Sequence, residues 1–233
     1  MNNETTKVEE EKEIENKIEN KKEKVKINLP NKLTILRMIL VPVFVLLMAL
    51  DAYLPGAGLT IGKIPVTLPW LKYVTCLVFV FAALTDFVDG YLSRKNNEVT
   101  TFGKIMDPLA DKLLVSAGFI MLTGMGKIPA LITAIVIIRD FLINGFRMFG
   151  TAKDAVIPAA WSGKVKTASQ LAGLTLTILD KNAFGAFLSG NLYGLDIILN
   201  VSATVFITIA LLATIYSAVD YTIKLKKYID PTK

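Results

Sequence analysis

The chain has 233 residues, 53% of them hydrophobic, with 26 Lys and Arg against 20 Asp and Glu, a formal net charge of +6 and no histidine. The missing histidine excludes Ser-His-Asp triads, Cys-His pairs and His-ligated zinc, and the single cysteine, Cys76, can form neither an internal disulfide nor a cysteine-rich metal site. Carboxylates, basic groups, hydroxyls and hard divalent cations remain as the available chemistry.

Residues 1–27 differ from everything after them. "ETTKVEEEKEIENKIENKKEKVK" alternates Glu and Lys with almost no apolar content, so it has nothing to bury and reads as a solvated tail, with local helix supported by Glu-Lys pairs. Its eight acids and seven bases nearly cancel, which leaves 12 acids and 19 bases, a net of +7, on the other 206 residues. It lacks the apolar centre and small-residue cleavage site of a signal peptide. From residue 28 onward apolar runs recur at 33–50, 74–84, 113–122, 130–138 and 197–219, the last without a charge over 23 residues. At about 1.5 Å per helical residue, such a run crosses roughly 30 Å of hydrocarbon. One run of this kind fits the core of a soluble protein; five do not.

The expected fold is therefore all-α: a polytopic membrane protein with six transmembrane helices near 32–52, 69–93, 107–124, 129–149, 164–187 and 195–224. A charged cytoplasmic tail (1–27) precedes this membrane domain (28–233). Orientation follows from the basic residues. Lys21, Lys22, Lys24, Lys26, Lys32 and Arg37 flank the first helix; Arg94, Lys95, Lys104 and Lys112 fall around the second connection. Arg147, Lys153, Lys164 and Lys166 surround the fourth connection, and Lys224, Lys226, Lys227 and Lys233 close the chain. The opposite side offers only Lys63, Lys72, Lys127 and Lys181. Both termini are thus expected in the cytoplasm, in a multi-pass protein of the cell membrane, with no nucleic-acid partner.

The segment "DFVDGYLSRKNNEVTTFGKIMDPLAD", residues 86–111, sets four aspartates beside hydrocarbon. On helices, Asp86 and Asp89 share a face one turn apart, as do Asp107 and Asp111. Gly90 and Gly103 leave room beside them for close approach to the backbone. Two helix ends joined by a short connection bring the four carboxylates together, where like charges in a low dielectric take up protons, pair with cations such as Arg94, Lys104 and Lys112, or bind metal. An oxygen-only ligand set suits Mg²⁺ or Mn²⁺. For Asp107 followed by Pro108, a helix N-cap with proline at the first helical position is the competing reading.

The pattern Asp86-x-x-Asp89-Gly90-x-x-Ser93-Arg94, then Gly103-x-x-x-Asp107-x-x-x-Asp111, resembles the signature of the CDP-alcohol phosphotransferase family. The one departure is Ser93, where the family usually has alanine, a small-for-small exchange. The resemblance implies six membrane helices, a homodimer, and a cytoplasm-facing site in which two divalent cations, Mg²⁺ or Mn²⁺, assist displacement of CMP from a CDP-linked lipid or alcohol. It assigns Asp86 and Asp107 to both metals, Asp89 to one, and Asp111 to the other and to the role of general base. Gly90, Arg94, Thr100 and Gly103 go to the cytidine diphosphate.

Three further stretches bear on the substrate. "LPNKLTILR" places Asn31, Thr34 and Arg37 at three-residue spacing, similar to an element near the nucleotide site in the glycerophosphate-synthase branch of the family. For Arg37, a charge at a helix start is the alternative. "IIRDFLINGFRMFG" puts Arg139 and Asp140 inside an apolar run, where an ionisable residue is by default a functional candidate, with Arg147 two turns on. As sequence neighbours, Arg139 and Asp140 fall on different faces and are free to pair elsewhere. "WSGKVKT" adds Lys164 and Lys166, where positive-inside bias alone accounts for one lysine. Together these resemble the glycerophosphate-synthase branch, which implies CDP-diacylglycerol and glycerol 3-phosphate as substrates in a lipid bilayer. Arg139, Arg147, Lys164 and Lys166 would then grip the acceptor phosphate. An inositol phosphate acceptor fits the same cations. A membrane prenyltransferase and a cation channel or transporter also use acidic clusters, but six helices, a site confined to 26 residues and the lack of an internal repeat disfavour both.

Overall fold

The computed structural model describes residues 29–53, 60–61, 64–65, 70–96, 101–152 and 161–229; at residues 29–31, 60–61, 64–65, 86, 87, 89–96, 101–108, 111, 146–152, 161–162 and 224–229 it describes the backbone alone. The charged tail and Thr100 lie outside the described residues. In chain order come α1 (Leu29–Tyr53), a hairpin of β1 (Thr60–Ile61) and β2 (Ile64–Pro65), α2 (Leu71–Asn96), α3 (Thr101–Gly124) and α4 (Ala130–Ala152). A fifth helix, α5 (Trp161–Leu179), a 3₁₀ turn (Ala186–Ser189) and α6 (Leu195–Ile229) complete the order. The described fold is helical except for the small antiparallel hairpin, in which Thr60 pairs with Pro65 and Ile61 with Ile64.

All six expected helices are present, with two boundaries corrected. Helix α3 begins at Thr101, six residues before the expected start, and continues through Asp107 and Pro108. Asp107 is therefore inside a helix and is not its N-cap. A proline within such a helix is tolerated when neighbouring groups satisfy the carbonyl it leaves free. Helix α5 ends at Leu179, eight residues before the expected end. Its stop is local: Asp180 Oδ1 accepts the Asn182 backbone N–H and the Asn182 side-chain amide, both at 3.0 Å. Gly185, Gly190 and Gly194 then adopt left-handed φ values of 73°, 72° and 61°, which no helix continues through.

Helix α1 packs on α2 and α3, α4 on α3 and α6, and α5 on α6, α2 and α3. The core runs along these seams through Phe44, Phe79, Phe119, Leu122, Leu174 and Ile207. The rings of Phe44 and Phe79 meet at 5.3 Å, tilted by 43°. Gly173 brings α5 so close to α6 that a Cβ there would lie 2.8 Å from Ile207 Cδ1 and 3.1 Å from its backbone N, the small-residue contact by which membrane helices pack.

Beside this apolar core, several polar and charged side chains turn inward while large apolar ones face outward. Arg37, Asp140, Lys166, Gln170 and Asn200 are all buried, whereas Leu77 is 68% exposed, Leu131 72% and Leu212 61%. Apolar surface on this scale marks a membrane or a partner. Among the described residues, two stretches qualify as spans by length and apolarity alone: Lys32–Tyr53, 22 residues of mean hydropathy 2.6, and Leu195–Ile223, 29 residues of 2.2. Among the described residues, Leu71–Thr85 of α2 and Lys112–Gly124 of α3 are shorter apolar stretches.

Candidate active site

The acidic segment is built on two helix ends. Asp86, Asp89, Gly90 and Arg94 lie in the last turns of α2, and Gly103, Asp107 and Asp111 in the first turns of α3. Only four residues join Asn96 to Thr101, so the helices run antiparallel and contact each other, with all four aspartates at the same end of the bundle. Helical backbone at each pair keeps Asp86 with Asp89, and Asp107 with Asp111, on a shared face. Their side chains lie outside the described residues, as do those of Arg94, Asn31 and Arg147. Among the described residues there is no cluster of three or more Asp, Glu, Cys or His, so no competing metal site arises from them.

Thr34 and Arg37 stand on one face of α1 with no exposed surface, and both are engaged with partners. Complete burial is more than a positive-inside charge at a helix start requires of Arg37. Thr34 matches the expected polar stripe.

The described charged residues meet on α4, α5 and α6. Asp140 Oδ1 accepts from Arg139 Nη1 at 2.9 Å and from Lys166 Nζ, and Arg139 Nη2 donates to Ser217 Oγ. Asp140 and Lys166 are 4% and 3% exposed at the side chain, and Arg139 is 12% exposed. Arg139 and Asp140 thus do find partners elsewhere, Ser217 on α6 and Lys166 on α5, and the guanidinium also reaches back to the neighbouring carboxylate. Lys166 is buried in this ion pair, whereas Lys164 is exposed and fits the positive-inside pattern. Two cations on one anion leave the cluster with a net charge of about +1. Coulombic influence from Lys112, next to Asp111, reaches both Asp140 and Lys166, so the cluster stands near the acidic end of α3.

A family model described as CDP-alcohol phosphatidyltransferase matches residues 27–216 of the chain. The chain belongs to the CDP-alcohol phosphatidyltransferase family. Within it, the chain is 38% identical over 157 residues to the CDP-diacylglycerol–glycerol-3-phosphate 3-phosphatidyltransferase of Bacillus subtilis, covering 67% of this chain and 79% of the relative. The proteins of the same name from Rickettsia bellii and Rickettsia felis are 32% and 34% identical, over 88% and 86% of this chain and 99% and 97% of their own lengths. This phosphatidyltransferase-family chain is thus a transferase of phosphate-containing groups, and the motif at 86–111 falls within the matched region.

Three features of the family member were not foreseen from sequence. Ser217 sits in an apolar run and becomes a partner only when α6 packs beside α4. Gln170 is 1% exposed, and its Nε2 has no hydrogen-bond acceptor. Its one sequence signal is its position four residues after Lys166, on the same helix face. The third is a polar knot of Lys127, Asp180 and Asn200 at the opposite end of the bundle.

Proposed function

We propose that the protein makes phosphatidylglycerol phosphate and CMP from CDP-diacylglycerol and sn-glycerol 3-phosphate. Its six helices cross the cell membrane, both termini and the acidic helix ends face the cytoplasm, and it works as a homodimer. The apolar outer surface and the Lys/Arg asymmetry support the multi-pass reading. The observation that carries the function is that relatives named for this reaction align over nearly their whole lengths, 99% and 97%.

The donor set fits two hard divalent cations, Mg²⁺ or Mn²⁺: four carboxylates, no thiolate and no imidazole, borne on two adjacent helix ends. Asp86 and Asp107 would bridge both ions, with Asp89 on one and Asp111 on the other. When bound, such ions neutralise the diphosphate and polarise it toward attack. Asn31, Thr34, Gly90, Arg94, Thr100 and Gly103 hold the cytidine diphosphate. Asp111 removes the proton from the acceptor hydroxyl, which in a chain without histidine falls to a carboxylate. The acceptor oxygen bonds to the β-phosphorus of the lipid, the bond from that phosphorus to the CMP oxygen breaks, and CMP leaves with its electron pair. Arg139, Arg147, Lys164 and Lys166 orient the acceptor through its own phosphate, which places the hydroxyl in line.

The test is purified full-length protein with labelled CDP-diacylglycerol and a panel of acceptors. Glycerol 3-phosphate is expected to release CMP, with inositol phosphate, inositol and serine inactive. Release with inositol phosphate in place of glycerol 3-phosphate would move the acceptor and keep the chemistry; prenyl transfer or metal uptake without CMP would overturn both.

A further inference from the structure

Among the described residues no Cα of α4 comes within 8 Å of a Cα of α5, so the two helices meet through side chains. The pair of Lys166 with Asp140 crosses the gap between them. An ionised group in the middle of a membrane helix costs about 2.5–3.5 kcal/mol on insertion scales, so Arg139 and Asp140, half-way along α4, need a reason. A tie made only for stability would be balanced and satisfied. This one is neither: two cations share one carboxylate oxygen, and the Arg139 Nε is buried with no acceptor. The Lys166 ammonium has three donors, and among the described residues its one acceptor is Asp140. One turn further along the same face of α5, the buried Gln170 amide also has an Nε2 without an acceptor. A buried donor left unsatisfied costs about 1–3 kcal/mol. Unused donors and surplus positive charge in one gap are what a phosphate monoester would satisfy, with several oxygens and up to two negative charges.

On the reading of the acceptor given above, we propose that Asp140 is a positioning residue. It holds Lys166 and Arg139 side by side across the α4–α5 gap so that their unused donors meet the acceptor phosphate. Two buried cations without the carboxylate would repel each other and part. Removing one member of a buried pair is strongly disruptive, whereas a residue that orients ligand-binding groups acts on ligand affinity. Ser217 completes the arrangement by fixing the second guanidinium nitrogen from α6.

The experiment uses the full chain in mixed micelles with CDP-diacylglycerol, with monodispersity and thermal melting recorded for every variant. Asp140→Asn is expected to raise the KM for glycerol 3-phosphate about tenfold or more, with kcat and the KM for CDP-diacylglycerol within about twofold, the pattern of lost ground-state binding. Asp140→Glu is expected to restore most of that affinity. Lys166→Met is expected to raise the same KM, and adding Asp140→Asn to it is expected to do nothing further, since the two act as a unit. An unchanged acceptor KM in folded Asp140→Asn overturns the proposal, as does a parallel fall of kcat and stability that Asp140→Glu fails to rescue. Should Asp140→Asn not fold, Ser217→Ala decides: a KM raised about two- to threefold at constant kcat supports the proposal, and an unchanged KM overturns it. Wild-type protein that releases no CMP with glycerol 3-phosphate would instead defeat the acceptor reading itself.

Discussion

Two buried polar clusters stand at different places in this bundle, and they are satisfied in different ways. In the loop after α5, Lys127 donates to the carbonyls of Thr177, Ile178 and Asp180, capping the helix end with a cation where such charge is favoured. Asp180 Oδ2 accepts Asn200 Nδ2 at 2.7 Å, Asn200 Nδ2 also reaches the Ala183 carbonyl at 2.9 Å, and Asn200 Oδ1 accepts the Phe187 N–H at 2.9 Å. The Lys127 carbonyl takes the Phe184 N–H at 2.9 Å. This cluster is electrically balanced and meets backbone groups; it holds a loop. The Arg139–Asp140–Lys166 cluster carries surplus charge and meets almost no backbone. Burial alone does not separate a structural polar group from a functional one; the balance of charge and donors does.

The largest effect that would sharpen this contrast is on the acidic helix ends. Asp111→Asn is expected to lower kcat by about 10²–10⁴-fold, the usual worth of a general base, while CDP-diacylglycerol binding is largely kept. Retained turnover removes Asp111 from that role. Next in size, Arg147→Ala and Lys164→Ala should each raise the glycerol 3-phosphate KM several-fold, roughly 1 kcal/mol of lost phosphate contact, and leave kcat near wild type. Whichever shows an unchanged KM lies outside the acceptor site.

The loop cluster should behave oppositely. Asn200→Ala strips hydrogen bonds from a buried carboxylate and from the Phe187 N–H, so denaturation should show a loss of about 1–3 kcal/mol, with every KM unaltered. A changed acceptor KM would erase the distinction between the clusters. The smallest expected effect is on pH. Burial holds the Lys127 ammonium below the ordinary lysine value of 10.5, with Asp51 and Asp180 opposing that shift and Lys72 adding to it. Between the folded value and 10.5 the unfolded chain binds more protons, so stability should rise with pH across that window and fall away as pH drops through the folded value. Melting curves of wild type and Lys127→Met should differ in this slope, the variant being flatter; equal slopes would show that Lys127 titrates as it does in the unfolded chain.

The parts of this molecule visible in sequence are those set by local spacing. Helices α1, α2, α4 and α6 follow from apolar run length, and the acidic motif from carboxylates three and four residues apart. What was misjudged depended on competition between local signals. The stretch "ILDKNAFGAFL" is apolar enough to prolong α5, yet Asp180 and the left-handed Gly185 stop it. Pro108 looked like a helix start because its missing N–H suits that position, whereas α3 was already running from Thr101. The Asp140 pairings were out of reach for a different reason. They join residues 26 and 78 positions apart, Lys166 with Asp140 and Ser217 with Arg139, and exist only once α4, α5 and α6 assemble.

The most direct test is CMP release from CDP-diacylglycerol and glycerol 3-phosphate by the purified protein before and after a chelator strips divalent cations. Loss of release on chelation, restored by Mg²⁺ or Mn²⁺ in wild type and not in an Asp107→Ala variant, is the predicted result. Release that continues undiminished in the chelator would contradict a carboxylate-held pair of cations as the working centre of this enzyme.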